Sequence, residues 1–311
     1  MQKLFTGLQP SGSLHIGNYF GALKPAVEMC KAYDGMLMVA DYHALTTLKD
    51  GNALRENIVS VVKDYVAAGL DPEKTVIFKQ SDVPEHTELS WIFQCLVTVS
   101  FLQLAHAFKD KVAKGLEANA GLFAYPMLMA ADILLYDTDV VPVGEDQRQH
   151  LEYAREAAAK FNNTYGHTFK EPREMILESV AVVPGTDGRK MSKSYGNTVP
   201  LFGSKDEIAK AVMSIVTSTG GSRPEHVFAI HRAFKKEEEL SALYDANTSN
   251  YKALKEALIE DIEAIIAPMR EKRASISDDD ALRILAAGGE KARARASKKM
   301  ADVRQKIGVA L

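Results

Sequence analysis

Lys3-Leu4-Phe5-Thr6-Gly7-Leu8, followed by Gln9-Pro10-Ser11-Gly12-Ser13 and then by His15-Ile16-Gly17-Asn18-Tyr19-Phe20-Gly21-Ala22-Leu23, is the stretch that sets the architecture. A short apolar run, a turn rich in small residues and a helix start succeed one another. That order aims backbone N–H groups and the positive end of a helix at an anion. The spacing is neither G-x-G-x-x-G nor G-x-x-x-x-G-K-[ST], so neither a standard dinucleotide site nor a P-loop is expected. What the stretch offers is a ring, His15, and an amide, Asn18, one helical turn apart on one face. Gly17 between them lets a flat group approach the backbone. On residue type alone His15 reads equally well as a helix-start hydrogen-bonding residue and as a ligand group.

Buried-strand runs recur at Met36-Leu37-Met38-Val39-Ala40-Asp41, Val76-Ile77-Phe78, Asp139-Val140-Val141-Pro142-Val143-Gly144 and Val180-Ala181-Val182-Val183. Between the first two of these, Asn52 to Ala68 carries Leu54, Ile58, Val61, Val62, Tyr65 and Val66 at helical spacing. The alternation predicts an α/β protein with a Rossmann-like doubly wound parallel sheet. Pro84 to Leu104 is expected to be helical, with apolar residues on more than one face, which suits a subunit contact as well as an internal one. The polar, Gly-ended stretch Lys109 to Gly115 reads as a loop.

After Asn197 the pattern becomes all-helical, with breaks expected at Thr217 to Gly221, Asn247-Thr248 and Gly288-Gly289. The expected division is 1–197, a Rossmann-like catalytic domain with a helical insertion at about 84–125, and 198–311, a C-terminal all-helical domain. In the last helix Ala292, Ala296, Met300, Val303 and Ile307 share one face, ringed by Lys291, Arg293, Arg295, Lys298, Lys299, Arg304 and Lys306. This basic surface is either solvated or laid against a polyanion.

With 311 residues the chain is long enough for a large core, and 46% hydrophobic with 25% charged residues is the balance of a globular protein in water. No run of ~18 apolar residues is present, so no membrane span is expected. Lys3 onward enters a strand with neither a basic leader nor a transit segment before it, which makes the cytoplasm the default location. A net charge of −3 is no polynucleotide footprint, so any nucleic-acid contact has to be local. Cys30 and Cys95 read as packed thiols; without a Cys-x-x-Cys or Cys/His cluster, no protein-held metal is expected.

The chemistry gathers elsewhere, in Gly188-Arg189-Lys190-Met191-Ser192-Lys193-Ser194-Tyr195-Gly196-Asn197. Two ammonium groups three residues apart, two hydroxyls and a flexible thioether lie between two glycines, as in a mobile loop that closes over a ligand. Lysines follow a phosphate as its charge moves, whereas an arginine fork suits a static carboxylate. Asp132, in the apolar helix Tyr125 to Tyr136, has no Lys or Arg within four residues. A buried unpaired carboxylate is costly, so its partner is either a protein hydrogen-bond network or a substrate donor. With Met129 and Tyr125 on the same face, the slot suits an aromatic ligand bearing one N–H or O–H. His43, after the second strand, and the run Glu145-Asp146-Gln147-Arg148-Gln149-His150, after the fourth, stand at carboxyl strand ends, where open α/β sheets bind ligands. Asp146 reads also as an N-cap.

Lys190-Met191-Ser192-Lys193-Ser194, with Pro10-Ser11-Gly12-x-x-His15-Ile16-Gly17-Asn18, resembles the two signatures of class I aminoacyl-tRNA synthetases. Gly121 to Pro126, Met129 to Tyr136 and Val141 to Gln147, in that order and spacing, are similar to the bacterial-type tryptophanyl branch. The likeness is close over roughly residues 3 to 200 and looser beyond. Asn18 replaces a second His, as is usual in that branch, and Tyr195-Gly196-Asn197 differs from the acidic continuation of many members.

The resemblance implies a ligase that uses ATP with Mg2+ to convert L-tryptophan to tryptophanyl-adenylate, transfers it to tRNA(Trp) through a helical tRNA-binding domain, and works as a homodimer. It implies that Phe5, His43, Tyr125, Met129, Asp132, Val141, Val143 and Gln147 surround tryptophan, with Asp132 accepting the indole N–H. Gln9, Ser11, His15, Gly17, Asn18, Gly144 and Asp146 would hold ATP together with Lys190, Met191, Ser192, Lys193 and Ser194. Lys111, Lys190 and Lys193 would be the catalytic cations. A tyrosyl-tRNA synthetase, a small-molecule adenylyltransferase and a catalytically inactive RNA-binding paralogue share parts of this pattern.

Overall fold

The computed structural model describes residues 1–105, 108–109, 113, 119–143, 148–176, 183–217, 223–248 and 250–310. Among them β1 (Lys3–Leu8), β2 (Asp34–Val39), β3 (Val76–Lys79), β4 (Val140–Val143) and β5 (Arg173–Ile176) form one parallel sheet in the order β3-β2-β1-β4-β5. The longer helices are α1 (Lys24–Ala32), α2 (Gly51–Ala67), α3 (Glu85–Gln94), α4 (Ala120–Leu134), α5 (Arg148–Tyr165), α6 (Lys205–Met213), α7 (Glu225–His231), α8 (Glu237–Ala246), α9 (Tyr251–Ser275) and α10 (Asp278–Lys306). The doubly wound α/β class read from the sequence is the class observed.

Alternation along the strands sorts their side chains into two cores. Leu4, Leu37, Val39 and Ile77 pack with α1 and α2, and the same cluster runs on without a break to Ile208, Val212, Leu254 and Leu258 of the helical region. Phe5, Met36, Met38, Phe78, Val141 and Val143 pack with α3, α4 and α5 on the other face. β1 pairs with β2 along its whole length, but with β4 through Leu4↔Val140. The strand order reverses here, and the splay beyond that pair is the crevice such sheets use for ligands.

Four local expectations change. Of the stretch Lys109 to Gly115, expected as a loop, the described residues Lys109 and Ala113 are helical, and the others lie outside the described residues. The fifth strand is Arg173–Ile176, which an apolar-run criterion passes over because an edge strand buries less than a central one. Of the run expected there, Val183 is buried and Val180 to Val182 lie outside the described residues. Pro84 to Leu104 is not one helix but α3 and a one-turn helix, Val99–Leu102, whose N-cap Thr98 hydroxyl accepts the Phe101 N–H.

Gly288-Gly289 breaks nothing: α10 runs straight through, started by a Ser277–Asp280 capping box. The helix crosses the edge strand β3, and a Cβ on Gly288 would stand 1.8 Å from the Ile77 carbonyl oxygen. Before the crossing Ala281 and Leu285 belong to the first core; after it Ala292, Ala296, Met300 and Val303 belong to the second. Much of the basic ring is tied to acids of the α/β part. Arg304 grips Glu88 with two hydrogen bonds, Lys299 pairs with Asp137 at 2.5 Å and Arg295 with Asp34 at 3.2 Å. Lys291 and Lys298 stay exposed.

Gly→Ala inside an exposed helix stabilises by up to about 1 kcal/mol. At Gly288 the sign reverses: Gly288→Ala costs about 1–3 kcal/mol, the range for an overpacked contact. Urea unfolding reads this as a lower midpoint at unchanged m-value.

Candidate active site

The splay between β1 and β4 opens into a cavity of about 470 Å³. Phe5 of β1, Gln9 just after it, His43 of the short helix Asp41–Ala44, Tyr125, Met129 and Asp132 of α4, and Val141 and Val143 of β4 line it. Asn119 caps α4 by accepting the Leu122 N–H at 2.8 Å, and steps of four and three put Tyr125, Met129 and Asp132 on one face. Gln147, expected beside them, lies outside the described residues, as do Gly144, Asp146 and Lys111.

Asp132 is 1% exposed, and the protein itself partners it. His43 Nε2 donates to its Oδ2 at 2.8 Å, and the Gln80 amide spans both oxygens at 2.8 and 3.0 Å. His86 Nδ1 lies 2.6 Å from Oδ1, an ion-pair distance with poor hydrogen-bond alignment. Burial pushes the carboxyl up, but the charge of His86 and the bonds from both imidazoles prevail and hold it down at about 2. The group facing the cavity is therefore an anion.

Its partners are themselves fixed. His86 Nε2 sits 2.8 Å from the Tyr136 hydroxyl, a phenol that burial pushes far up and so keeps protonated. Gln80 belongs to a 3-10 turn after β3, and Asp41 pins that turn by accepting the Ser81 N–H at 3.0 Å and its hydroxyl at 2.5 Å. Sequence reasoning missed Gln80, His86 and Tyr136. Gln80 carries a signal, its place at the carboxyl end of β3; the other two read as ordinary helix residues.

The second cluster forms at the first helix start. His15 Nδ1 accepts the Asn18 N–H at 3.2 Å, and Asn18 Oδ1 accepts the His15 N–H at 3.1 Å, a reciprocal cap on the short helix Ile16–Asn18. Burial first, then the Lys193 ammonium, lowers His15 to about 4. Neutral, with Nδ1 accepting, the ring carries its proton on Nε2 and keeps one N–H to donate.

Lys193 donates to the Ser11 carbonyl at 2.9 Å, two residues on from cavity-lining Gln9. Burial lowers the Lys193 pKa, and Asp64, held by Arg273 at 2.5 Å, opposes the shift. Met191 is buried over Gly17, where a Cβ would come within 3.4 Å of Met191 Cβ and 3.0 Å of His15 Nδ1. The space a side chain at Gly17 would need is thus taken by the chain's own residues. Ser192 and Ser194 hydroxyls lie 2.9 Å apart, and the Lys190 side chain is exposed. Of the residues expected around a polyphosphate, Ser11, His15, Gly17, Asn18, Met191 and Lys193 are brought together. Among the described residues no group of three or more His, Cys, Asp or Glu could hold a metal.

From about pH 6.5 down to about 4 the unfolded chain protonates His15 while the folded chain does not, so stability is lost as pH falls through that window. His15→Gln removes this contribution. Denaturation midpoints at pH 7 and 5 will converge in the variant relative to wild type, and the wild-type imidazole will titrate near 4 by NMR.

Residues 1–277 match the family model of class I tRNA synthetases (W and Y). The tryptophan–tRNA ligase of Fusobacterium nucleatum is 46% identical over 99% of this chain and 98% of its own, and that of Rhodopirellula baltica 44% identical over 99% of each. The crystal structure of tryptophanyl-tRNA synthetase from Campylobacter jejuni, complexed with ADP and tryptophan, superposes with a TM-score of 0.92 at 43% identity, covering 99% of this chain and 100% of that one. The chain belongs to the class I tRNA synthetases of the W and Y group, in its bacterial-type tryptophanyl branch.

Proposed function

We propose that this chain is a tryptophan–tRNA ligase, which activates L-tryptophan with ATP to tryptophanyl-adenylate and transfers the tryptophanyl group to tRNA(Trp). The observation that carries the reading is Asp132: an ionised carboxylate in an otherwise apolar slot, with a lysine cluster over a helix start nearby. The anion accepts the indole N–H, while Phe5, Met129, Val141 and Val143 enclose the ring and Tyr125, His43 and Gln147 border it. A side chain with no donor leaves the buried anion one bond short, which is how a polar pocket rejects analogues.

In the first step a carboxylate oxygen of tryptophan attacks the α-phosphorus of ATP in line. A new O–P bond forms, the bond to the bridging oxygen breaks, and pyrophosphate leaves with the electron pair. The attacking group is already ionised, so no general base is required and catalysis is positioning plus charge neutralisation. Lys190, Lys193 and Lys111 supply mobile positive charge to the leaving pyrophosphate, and the His15 Nε2–H adds a neutral donor. Gln9, Ser11, Gly17, Asn18, Gly144, Asp146 and the backbone and hydroxyls of Met191, Ser192 and Ser194 cradle the nucleotide. Mg2+ arrives on the phosphate oxygens of ATP as part of that substrate. In the second step a ribose hydroxyl at the tRNA 3′ end attacks the acyl carbon; AMP leaves and the hydroxyl proton is released.

Residues 1–197 form the catalytic part and 198–311 the helical part that meets tRNA, in a cytoplasmic protein; no helix among the described residues is long and apolar enough to cross a membrane. The chain pairs as a homodimer through the surface carrying Trp91, Val99 and Leu104, 67%, 63% and 50% exposed. Sedimentation will give twice the chain mass for wild type and a shift toward monomer for Trp91→Glu; an unshifted variant removes this face from the interface.

Pyrophosphate exchange tests the activity. Wild type will exchange with tryptophan and not with tyrosine, and Asp132→Asn will lower kcat/KM for tryptophan about 100-fold, the loss of one charge-assisted bond in a buried site. Exchange with tyrosine alone would overturn the pocket assignment and leave the reaction class standing.

A further inference from the structure

One buried polar side chain of the lysine loop has no part in the mechanism above. Asn197 is 2% exposed, and its amide is saturated by the loop itself. Oδ1 accepts the Ser192 N–H at 2.8 Å, while Nδ2 donates to the Lys190 carbonyl at 3.2 Å and to Asp187 Oδ1 at 2.7 Å. The two backbone groups it takes flank Met191. An amide bonded to the carbonyl of one residue and the N–H of the next but one stands where a neighbouring strand would put its own peptide group. With that pair satisfied, Met191 points into the core over Gly17, and the lysines on either side point away from it.

The clasp reaches past the loop. Thr186 N–H donates to the Asn197 carbonyl at 3.0 Å, and Val216 N–H, just after α6, donates to the Thr186 carbonyl at 2.8 Å. Asp187 also receives the Arg189 N–H and Nε at 3.1 and 2.7 Å, so the carboxylate that orients Asn197 is itself oriented by the loop. The hydrogen bond from the Asn197 amide, with those from Arg189 after it, holds that carboxyl at about 2, ionised throughout the working range.

We propose that Asn197 is a positioning residue of the adenylation step, whose side-chain amide fixes the backbone on both sides of Met191 and so sets where the Lys190 and Lys193 ammonium groups stand over the Ser11 turn. This rests on the ligase reading above. Asn197 touches no reacting atom; its effect passes through the two lysines.

The test uses pyrophosphate exchange and equilibrium dialysis of labelled tryptophan on the full chain. Asn197→Ala and Asn197→Asp will lower kcat about 10- to 100-fold, since a displacement of about 1 Å at a reacting group costs that much. Tryptophan affinity will stay within about twofold, because the indole slot is a separate cluster. Asn197→Asp keeps the shape and the Ser192 bond but sets two carboxylates together; adding Asp187→Asn restores a donor to that pair and will recover several-fold of kcat. In a Lys193→Ala background the Asn197→Asp loss will shrink, as expected when one residue acts through the other.

Wild-type kcat in both single variants, tryptophan affinity falling in step with kcat, or losses that multiply fully with Lys193→Ala would each overturn the proposal. If Asn197→Ala fails to fold, the isosteric Asn197→Asp and its rescue decide. A wild type that exchanges with no amino acid would overturn the parent reading and this one together; an active wild type with any of the three results above overturns this one alone.

Discussion

A carboxylate kept ionised at the bottom of an apolar slot is the constraint around which the α/β part is assembled. Left alone there, Asp132 would take up a proton rather than bear the cost of its charge. It stays charged because His43, Gln80 and His86 arrive from the ends of β2 and β3 and from α3. Each is held in turn: Gln80 by the Asp41–Ser81 turn, His86 by Tyr136. Farther out, α3 is tied to α10 through Glu85–Ser297 and Glu88–Arg304. The acid that faces the cavity is thus the inner end of a chain of contacts crossing the molecule.

The lysine loop is built on the opposite principle. Lys193, Lys190 and a helix start gather charge of one sign with no carboxylate in contact among the described residues, and Asp64, the acid that acts on Lys193, is already bound to Arg273. Burial, and then the Lys193 charge, also keeps His15 unprotonated near neutrality. Such a cluster is relaxed only when an anion arrives. One half of the cleft is neutralised by the protein's own partners; the other half keeps its positive charge exposed.

What the sequence disclosed follows from how local each signal is. The family resemblance placed Phe5, Val141 and Val143 at the pocket, and helical steps placed Tyr125, Met129 and Asp132 together. The glycine-flanked loop and the His15–Asn18 turn were legible for the same reason. The partners of Asp132 were not, because Gln80 and Asp132 stand 52 residues apart and nothing local marks the meeting. One glycine pair misled for a physical cause: Gly288 serves a close approach and not a break. That the ring in the slot is an indole, and not a phenol, came from resemblance and then from the comparisons, since a single buried acid would accept from either.

The crossing of α10 over β3 also governs when the protein can be finished. Every strand among the described residues is made before this helix, yet both cores take side chains from it, Leu285 on one face and Met300 on the other. The edge of β3 and the outer wall of α3 stay open to water until residues 278–306 have docked. A nascent chain carrying the whole sheet therefore still exposes two unfinished apolar surfaces and a strand edge, the features that draw chaperones and stray partners. Closure is non-local and late: the acid-lined pocket gains its final backing only when the end of the helical region folds back onto the beginning of the chain.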